Sequence, residues 1–454
     1  MLSPAKSINK DELIFKNSDL RKLIFPLIIE QLLSIMVGMA DSIMVASVGE
    51  AAVSAVSLVD SVNLLLFFIF SSVATGGAVV AGQYLGSKRP EKACESCDQL
   101  FNLTIVMSVI ITVIMYLGRG FILNGLFGRI EPDVKAYANT YLLIVFAAIP
   151  FLAIYNCGAA MFRAMGNTKI SMNTSLLMNS INVVGNAILI YGCHMGVEGV
   201  AIPTLISRMV AAFVIIILLK NPNLTIHLGK KLKLRPDKQM IGRILKIGIP
   251  NGIENSLFQL GKIMLMSFIS GLGTVAVAAN AVGNVVSMFQ LMPGLAIGIA
   301  VVTVVSRCVG AGNYDQARYY TMKLIKLTYI MHLILNAAIF LALPIIIKAY
   351  NLSSGTGLLA EELLTMHGFF AVTVWPIAFT LPNTLRASND AKFTMIISVV
   401  SMWIFRIGFG ILMGSVFGMG VMGVWIAMII DWFVRAVLFV FRYRSGKWTS
   451  IKII

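Results

Sequence analysis

Charge is scarce in this 454-residue sequence: 12% of its residues are charged, against 58% hydrophobic. Soluble domains carry about 25% charged residues, so the chain is expected to be a polytopic membrane protein. Cysteine is scarce as well. Five residues, an odd number, give no disulfide framework. Cys94 and Cys97 form a lone C-E-S-C, and with only four histidines in the chain the second ligand pair of a zinc site is lacking. No P-loop occurs, which argues against ATP hydrolysis as the driving reaction. The run G-M-G-V-M-G at 418–423 matches a dinucleotide fingerprint in letters only, because it opens a membrane helix instead of following a strand. Adjacent acids in a membrane-flanking loop are limited to Glu361 and Glu362, too few for the metal-bound diphosphate of a lipid transferase. No enzyme and no cofactor is expected. The net charge of +16 is not arranged as a basic patch interleaved with aromatics, so nucleic acid is not an expected partner. Residues 1–22 are polar and basic without an apolar core, and no cleaved signal peptide is visible.

What the sequence has is long apolar runs. Twelve can be placed, near 25–47, 54–82, 99–118, 137–157, 171–192, 197–219, 245–269, 275–305, 326–347, 364–384, 393–414 and 420–441. With the N-terminus in the cytoplasm, the outer side would hold only Arg119, Arg129, Lys135 and Lys348 of the 36 basic residues. Another four, Arg208, Lys262, Arg406 and Arg435, fall within runs, and the remainder lie on the cytoplasmic side, as the positive-inside rule requires. An odd number of spans would scramble that asymmetry. The expectation is an all-α fold of twelve transmembrane helices in the cell membrane, with both termini cytoplasmic.

The chain also repeats itself. Pro26 and Glu30 recur as Pro250 and Glu254, each pair spaced P-x-x-x-E. At that same offset Gly86–Ala93 recurs as Gly310–Ala317, and G-V-E-G-V from Gly196 as G-V-M-G-V from Gly420. One position short of it, R-A-M-G-N-T-K from Arg163 matches R-A-S-N-D-A-K from Arg386. Each half holds six spans, an even number, so the halves share an orientation and are expected to be related by a pseudo-two-fold axis along the membrane normal. The predicted organisation is a six-helix lobe over 1–222, a basic cytoplasmic linker over 223–243 and a second lobe over 244–454. A substrate cleft is expected between the lobes. The design suits alternating access better than a fixed pore.

Five of the 20 acids fall inside spans: Glu30, Asp41, Asp60, Glu254 and Asp431. A carboxylate there costs about 3 kcal/mol or more and usually marks an ion or substrate path; otherwise it is hydrogen-bonded between helices. Glu30 and Asp41 are eleven residues apart, which returns a helix to within about 20° of its starting direction. Asp431 has Arg435 one turn later and reads as a self-neutralising structural pair. Asp41 and Asp60 break the repeat, mapping to Leu265 and Asn284, and both are expected in the outer half of the first lobe. Asn182 and Asn186 lie one turn apart in the fifth span, and Thr204 follows Pro203 in the sixth. Such oxygens beside a carboxylate suit a hard cation or a proton relay, and equally serve to hold membrane helices together. Tyr141 fits either that site or an interfacial belt. Glu30 and Glu254 would form an acidic entrance for cations, with Lys262 balancing an acid or competing with a cationic ligand.

Together P-x-x-x-E-Q from Pro26, V-G-M-A-D-S-I-M-V around Asp41, L-G-S-K-R-P-E-K-A, R-A-M-G-N-T-K, and N-x-x-x-N before G-V-E-G-V-A-I resemble the multidrug and toxic compound extrusion (MATE) family. The likeness spans almost the whole chain and is greatest to the prokaryotic DinF-like branch. It implies an efflux antiporter that works as a monomer, exporting organic cations or other amphipathic compounds in exchange for H⁺ or Na⁺. It makes Pro26 a kink, Asp41 the proton- or Na⁺-binding carboxylate, Asn182 and Thr204 parts of that site and Tyr141 its edge. The chain departs from the pattern at Asn186, where that branch commonly has an aspartate. A lipid-linked precursor flippase of the same wider superfamily is the alternative; it would favour an arginine-rich cavity and fourteen spans.

Overall fold

A computed structural model describes residues 12–126, 128, 130–229 and 236–451. The linker cations Lys230, Lys231, Lys233 and Arg235, and also Lys6, Lys10 and Arg129, lie outside the described residues. The chain runs as α1 (Asn17–Ala46), α2 (Glu50–Gly86), α3 (Pro90–Leu117), α4 (Pro132–Ala147), α5 (Ile149–Ala164), α6 (Thr168–Gly192) and α7 (Glu198–Leu219). There follow α8 (Lys238–Ser270), α9 (Thr274–Gly310), α10 (Tyr314–Ala349), α11 (Ser354–Thr373), α12 (Pro376–Ala387), α13 (Ala391–Val416) and α14 (Gly420–Arg444). Among the described residues nine helices are long and apolar enough to cross a membrane. Two bent pairs add a span each: α4 with α5 at 45°, and α11 with α12 at 61°. α8 is long enough at 33 residues, but Asn251, Glu254, Asn255, Gln259 and Lys262 leave it short of that apolar standard. Twelve helical segments in two sets of six result.

Several helices start well before the apolar runs that announce them. α3 begins at Pro90 rather than near 99, and α10 at Tyr314 rather than near 326. Pro90 occupies the first turn, where its missing N–H costs nothing. The Asn313 side chain caps α10 by accepting from the Gln316 N–H at 3.0 Å. Hydropathy marks where a helix is apolar, not where it starts.

Two sharp breaks lie at other prolines. α1 continues unbroken through Pro26, whereas both breaks sharper than 40° have a proline at or beside them, Pro150 and Pro376. Pro26 cannot donate to the Lys22 carbonyl one turn back. The buried Thr168 hydroxyl reaches that carbonyl at 3.2 Å and the Leu23 carbonyl at 2.9 Å. A side chain from α6 thus satisfies the group that the proline orphans.

The chain divides into two compact units, Arg21–Gly252 and Met1–Leu20 with Ile253–Ile454. In the first, α2 is the hub, packing on α3, α4 and α5 over a core that includes Phe70, Leu142 and Phe146. Its Gly76 admits α8 closely: a Cβ there would stand 2.4 Å from the Ile244 carbonyl oxygen. In the second, α9 packs on α10, α11 and α12, and Trp375, Trp425 and Trp432 fill much of the core. Residues 14 and 15 fasten the N-terminal segment to α10 of that unit. The Ile14 N–H donates to Gln316 Oε1 at 3.0 Å, and the Tyr320 hydroxyl exchanges two bonds with the Phe15 backbone.

Candidate ion-coupling site

Six side chains singled out in the sequence come together in the first unit. Asp41 on α1 is half-buried, and its Oδ1 accepts from the Asn186 amide at 2.8 Å. With its nitrogen toward Asp41, the Asn182 amide donates to Oδ1 at 2.9 Å and Oδ2 at 3.1 Å, and accepts from the Thr204 hydroxyl at 3.0 Å. The Thr204 hydroxyl also lies 2.9 Å from the Val200 carbonyl of its own helix. An ionised carboxylate accepts only, and two amide nitrogens aimed at Asp41 suit that form.

Local sequence explains the approach. Gly185 lies between Asn182 and Asn186 on α6, and a Cβ there would meet the Pro203 Cβ at 2.7 Å. Without that methyl, α7 comes near enough for Thr204 to reach Asn182. Asp60 on α2 is exposed and accepts from Asn63 at 3.2 Å and from the Tyr141 hydroxyl at 3.1 Å. Tyr141 is buried in the core, so it belongs to this cluster and not to an interfacial belt. Asp60 and Asp41 lie within electrostatic reach of each other and of Arg208. Sequence reasoning noted Arg208 as a base within a span but gave it no role. Its signal was spacing, since it stands one turn after Thr204 on α7.

Glu30 and Glu254 are not free acids, since each is paired with an arginine of its own unit. Glu30 is buried, paired with Arg163 Nη2 at 2.7 Å and bonded to the Ser171 hydroxyl at 3.1 Å, which ties α1 to α5 and α6. Glu254 is buried against Arg386 Nη2 at 2.5 Å, tying α8 to α12. Both arginines open the repeated R-A motif, so the two halves carry the same internal ion pair. The second is less complete: Thr394, the counterpart of Ser171, donates instead to the Ala391 carbonyl, leaving Glu254 Oε2 and Arg386 Nε without partners among the described residues. A carboxylate neutralised in this way attracts no cation. Lys262 balances no acid either. Among the described residues it makes no ion pair, and its ammonium lies 6.0 Å from the Phe258 ring centre.

Asp431 and Arg435 form the buried pair that their spacing suggests, at 2.8 Å. The Cys94 thiol lies 3.7 Å from His227 Nδ1 while Cys97 is buried, and no group of three metal-binding side chains assembles among the described residues.

The sequence profile described as MatE matches this chain twice, over residues 26–188 and 250–412. The chain belongs to the MatE family. The first match opens at Pro26 and the second at Pro250, the pair of prolines that marks the internal repeat. This MatE protein is 27% identical to the uncharacterized transporter YisQ of Bacillus subtilis, over 96% of this chain and 98% of that one. It is 26% identical to the probable multidrug resistance protein NorM of Thermotoga maritima, over 97% and 94%. A crystal structure of MATE in complex with MaL6 superposes with a TM-score of 0.88 at 20% identity, covering 94% of this chain and 95% of that chain. An outward-facing conformation of a multidrug resistance MATE family transporter gives 0.85 at the same identity and the same coverage. This MatE protein is thus a multi-pass membrane transporter, not an enzyme.

Proposed function

We propose that the protein is a secondary active antiporter of the plasma membrane, exporting organic cations or amphipathic compounds in exchange for H⁺ or Na⁺ by alternating access. The reading takes 1–222 and 244–454 as its two lobes, 223–243 as the linker, both termini as cytoplasmic and a single chain as the working unit. One observation carries it: Asp41 sits within a membrane helix with its carboxylate accepting from the Asn182 and Asn186 amides. The Asn182 oxygen accepts in turn from the Thr204 hydroxyl of α7, so an ion taken up at α1 is coupled to a second helix through Asn182. For Na⁺ the same site offers the Asp41 carboxylate and the Asn186 carbonyl oxygen, which is buried and without a donor among the described residues. The driving force suffices, since one charge crossing 100 mV releases about 2.3 kcal/mol. Two carboxylates against one arginine in this cluster favour cation exchange over the flippase alternative.

Dye efflux from everted membrane vesicles tests the reading. An imposed proton or Na⁺ jump is expected to accelerate export above vesicles lacking the protein, and the effective ion is the coupling ion. No response to either jump overturns antiport. A matched pair of variants tests the relay. Thr204→Ser is expected to export at close to the wild-type rate, and Thr204→Val, isosteric but without a hydroxyl, about tenfold more slowly for one lost buried hydrogen bond. Equal initial rates in the two variants would remove Thr204 from the mechanism.

A further inference from the structure

Where the first unit gathers carboxylates, the second gathers cations. At the repeat offset Leu265 stands for Asp41, Gly410 for Asn186 and Arg406 for Asn182. The contact is kept while its chemistry is lost: a Cβ on Gly410 would meet Leu265 Cδ2 at 3.4 Å. Arg406 instead lies over the Phe258 ring at 5.2 Å, and that ring also has Arg435 at 5.8 Å and Lys262 at 6.0 Å. The acid facing this group is Asp431, already bonded to Arg435 at 2.8 Å and to the Ser401 hydroxyl at 2.5 Å. Three cations thus share one carboxylate around one ring inside a membrane-spanning bundle. Arg406 Nε is buried and meets no acceptor among the described residues. An uncompensated cation costs most where water is excluded, as at Arg406 Nε, and an anion offsets that cost. The Phe258 ring supplies an apolar surface beside the two free positive heads.

We propose that Lys262 and Arg406, flanking Phe258, bind the anionic end of an amphipathic molecule, a carboxylate or a phosphate. The inference rests on the transport reading and extends the substrate class from simple cations to zwitterions and amphipathic anions. An exported solute and an anionic lipid headgroup share this chemistry.

Rhodamine B and its ethyl ester differ in the free carboxylate and make the test. Full-length protein in phosphatidylcholine nanodiscs is expected to bind rhodamine B about tenfold more tightly than the ester, the scale of a charge-assisted hydrogen bond. Arg406→Gln removes that preference and Arg406→Lys restores part of it. Lys262 is exposed, so Lys262→Gln provides the second test should Arg406→Gln fail to fold. If the preference disappears in nanodiscs containing phosphatidylglycerol, the site belongs to a lipid headgroup; if it persists, to the solute. Equal binding of the two dyes by the wild type, or a preference that survives both glutamine substitutions, overturns the inference. These are equilibrium measurements, so a failure of gradient-driven export would sink the antiport reading and leave this result standing.

Discussion

Arg163→Met is expected to destabilise the protein by about 3–5 kcal/mol, because it leaves Glu30 charged and buried with only the Ser171 hydroxyl for a partner. The cost comes from the orphaned charge rather than from the worth of the pair. Adding Glu30→Leu should therefore recover most of it, since replacing both members of a buried pair with apolar groups is often nearly neutral. The measurement is the melting midpoint of the detergent-purified single and double variants. Arg386→Met with and without Glu254→Leu repeats the experiment in the second half. A double variant no more stable than the single would show that the cost does not come from the orphaned Glu30 charge. The Glu30 variants also separate scaffold from ion coupling, because eleven residues of helix, about 16 Å, lie between Glu30 and Asp41.

The fold was largely legible because its signals are global. Long apolar runs, basic loops on one side and an internal duplication each constrain the whole chain, and the family profile matches once in each copy. Asp41, Asp60, Asn182, Asn186 and Thr204 were legible for a related reason: polar groups within membrane spans are costly and few. What failed was pairing. Glu30 and Glu254 read as free acids because their partners, Arg163 and Arg386, lie far along the chain at the ends of other helices. Spacing along one helix reveals partners one turn apart, such as Asp431 and Arg435, and nothing farther.

The second large effect concerns Asp41. Substitution by asparagine keeps the shape of the side chain and its place between Asn182 and Asn186 but removes the group that exchanges an ion. Asp41→Asn is expected to leave the fold intact, with a melting midpoint near that of the wild type. A neutral side chain takes up no ion, and the step that links the ion to α7 through Asn182 and Thr204 is lost. Substrate exchange across the membrane should survive, because it needs the protein to change conformation but not to consume a gradient.

Proteoliposomes holding wild type or Asp41→Asn, loaded with a cationic dye, allow gradient-driven export and equilibrium dye exchange to be measured in one preparation. Exchange at near wild-type rates with concentrative export abolished in Asp41→Asn is the predicted result. Export against a concentration gradient at the wild-type rate in that variant would contradict the account.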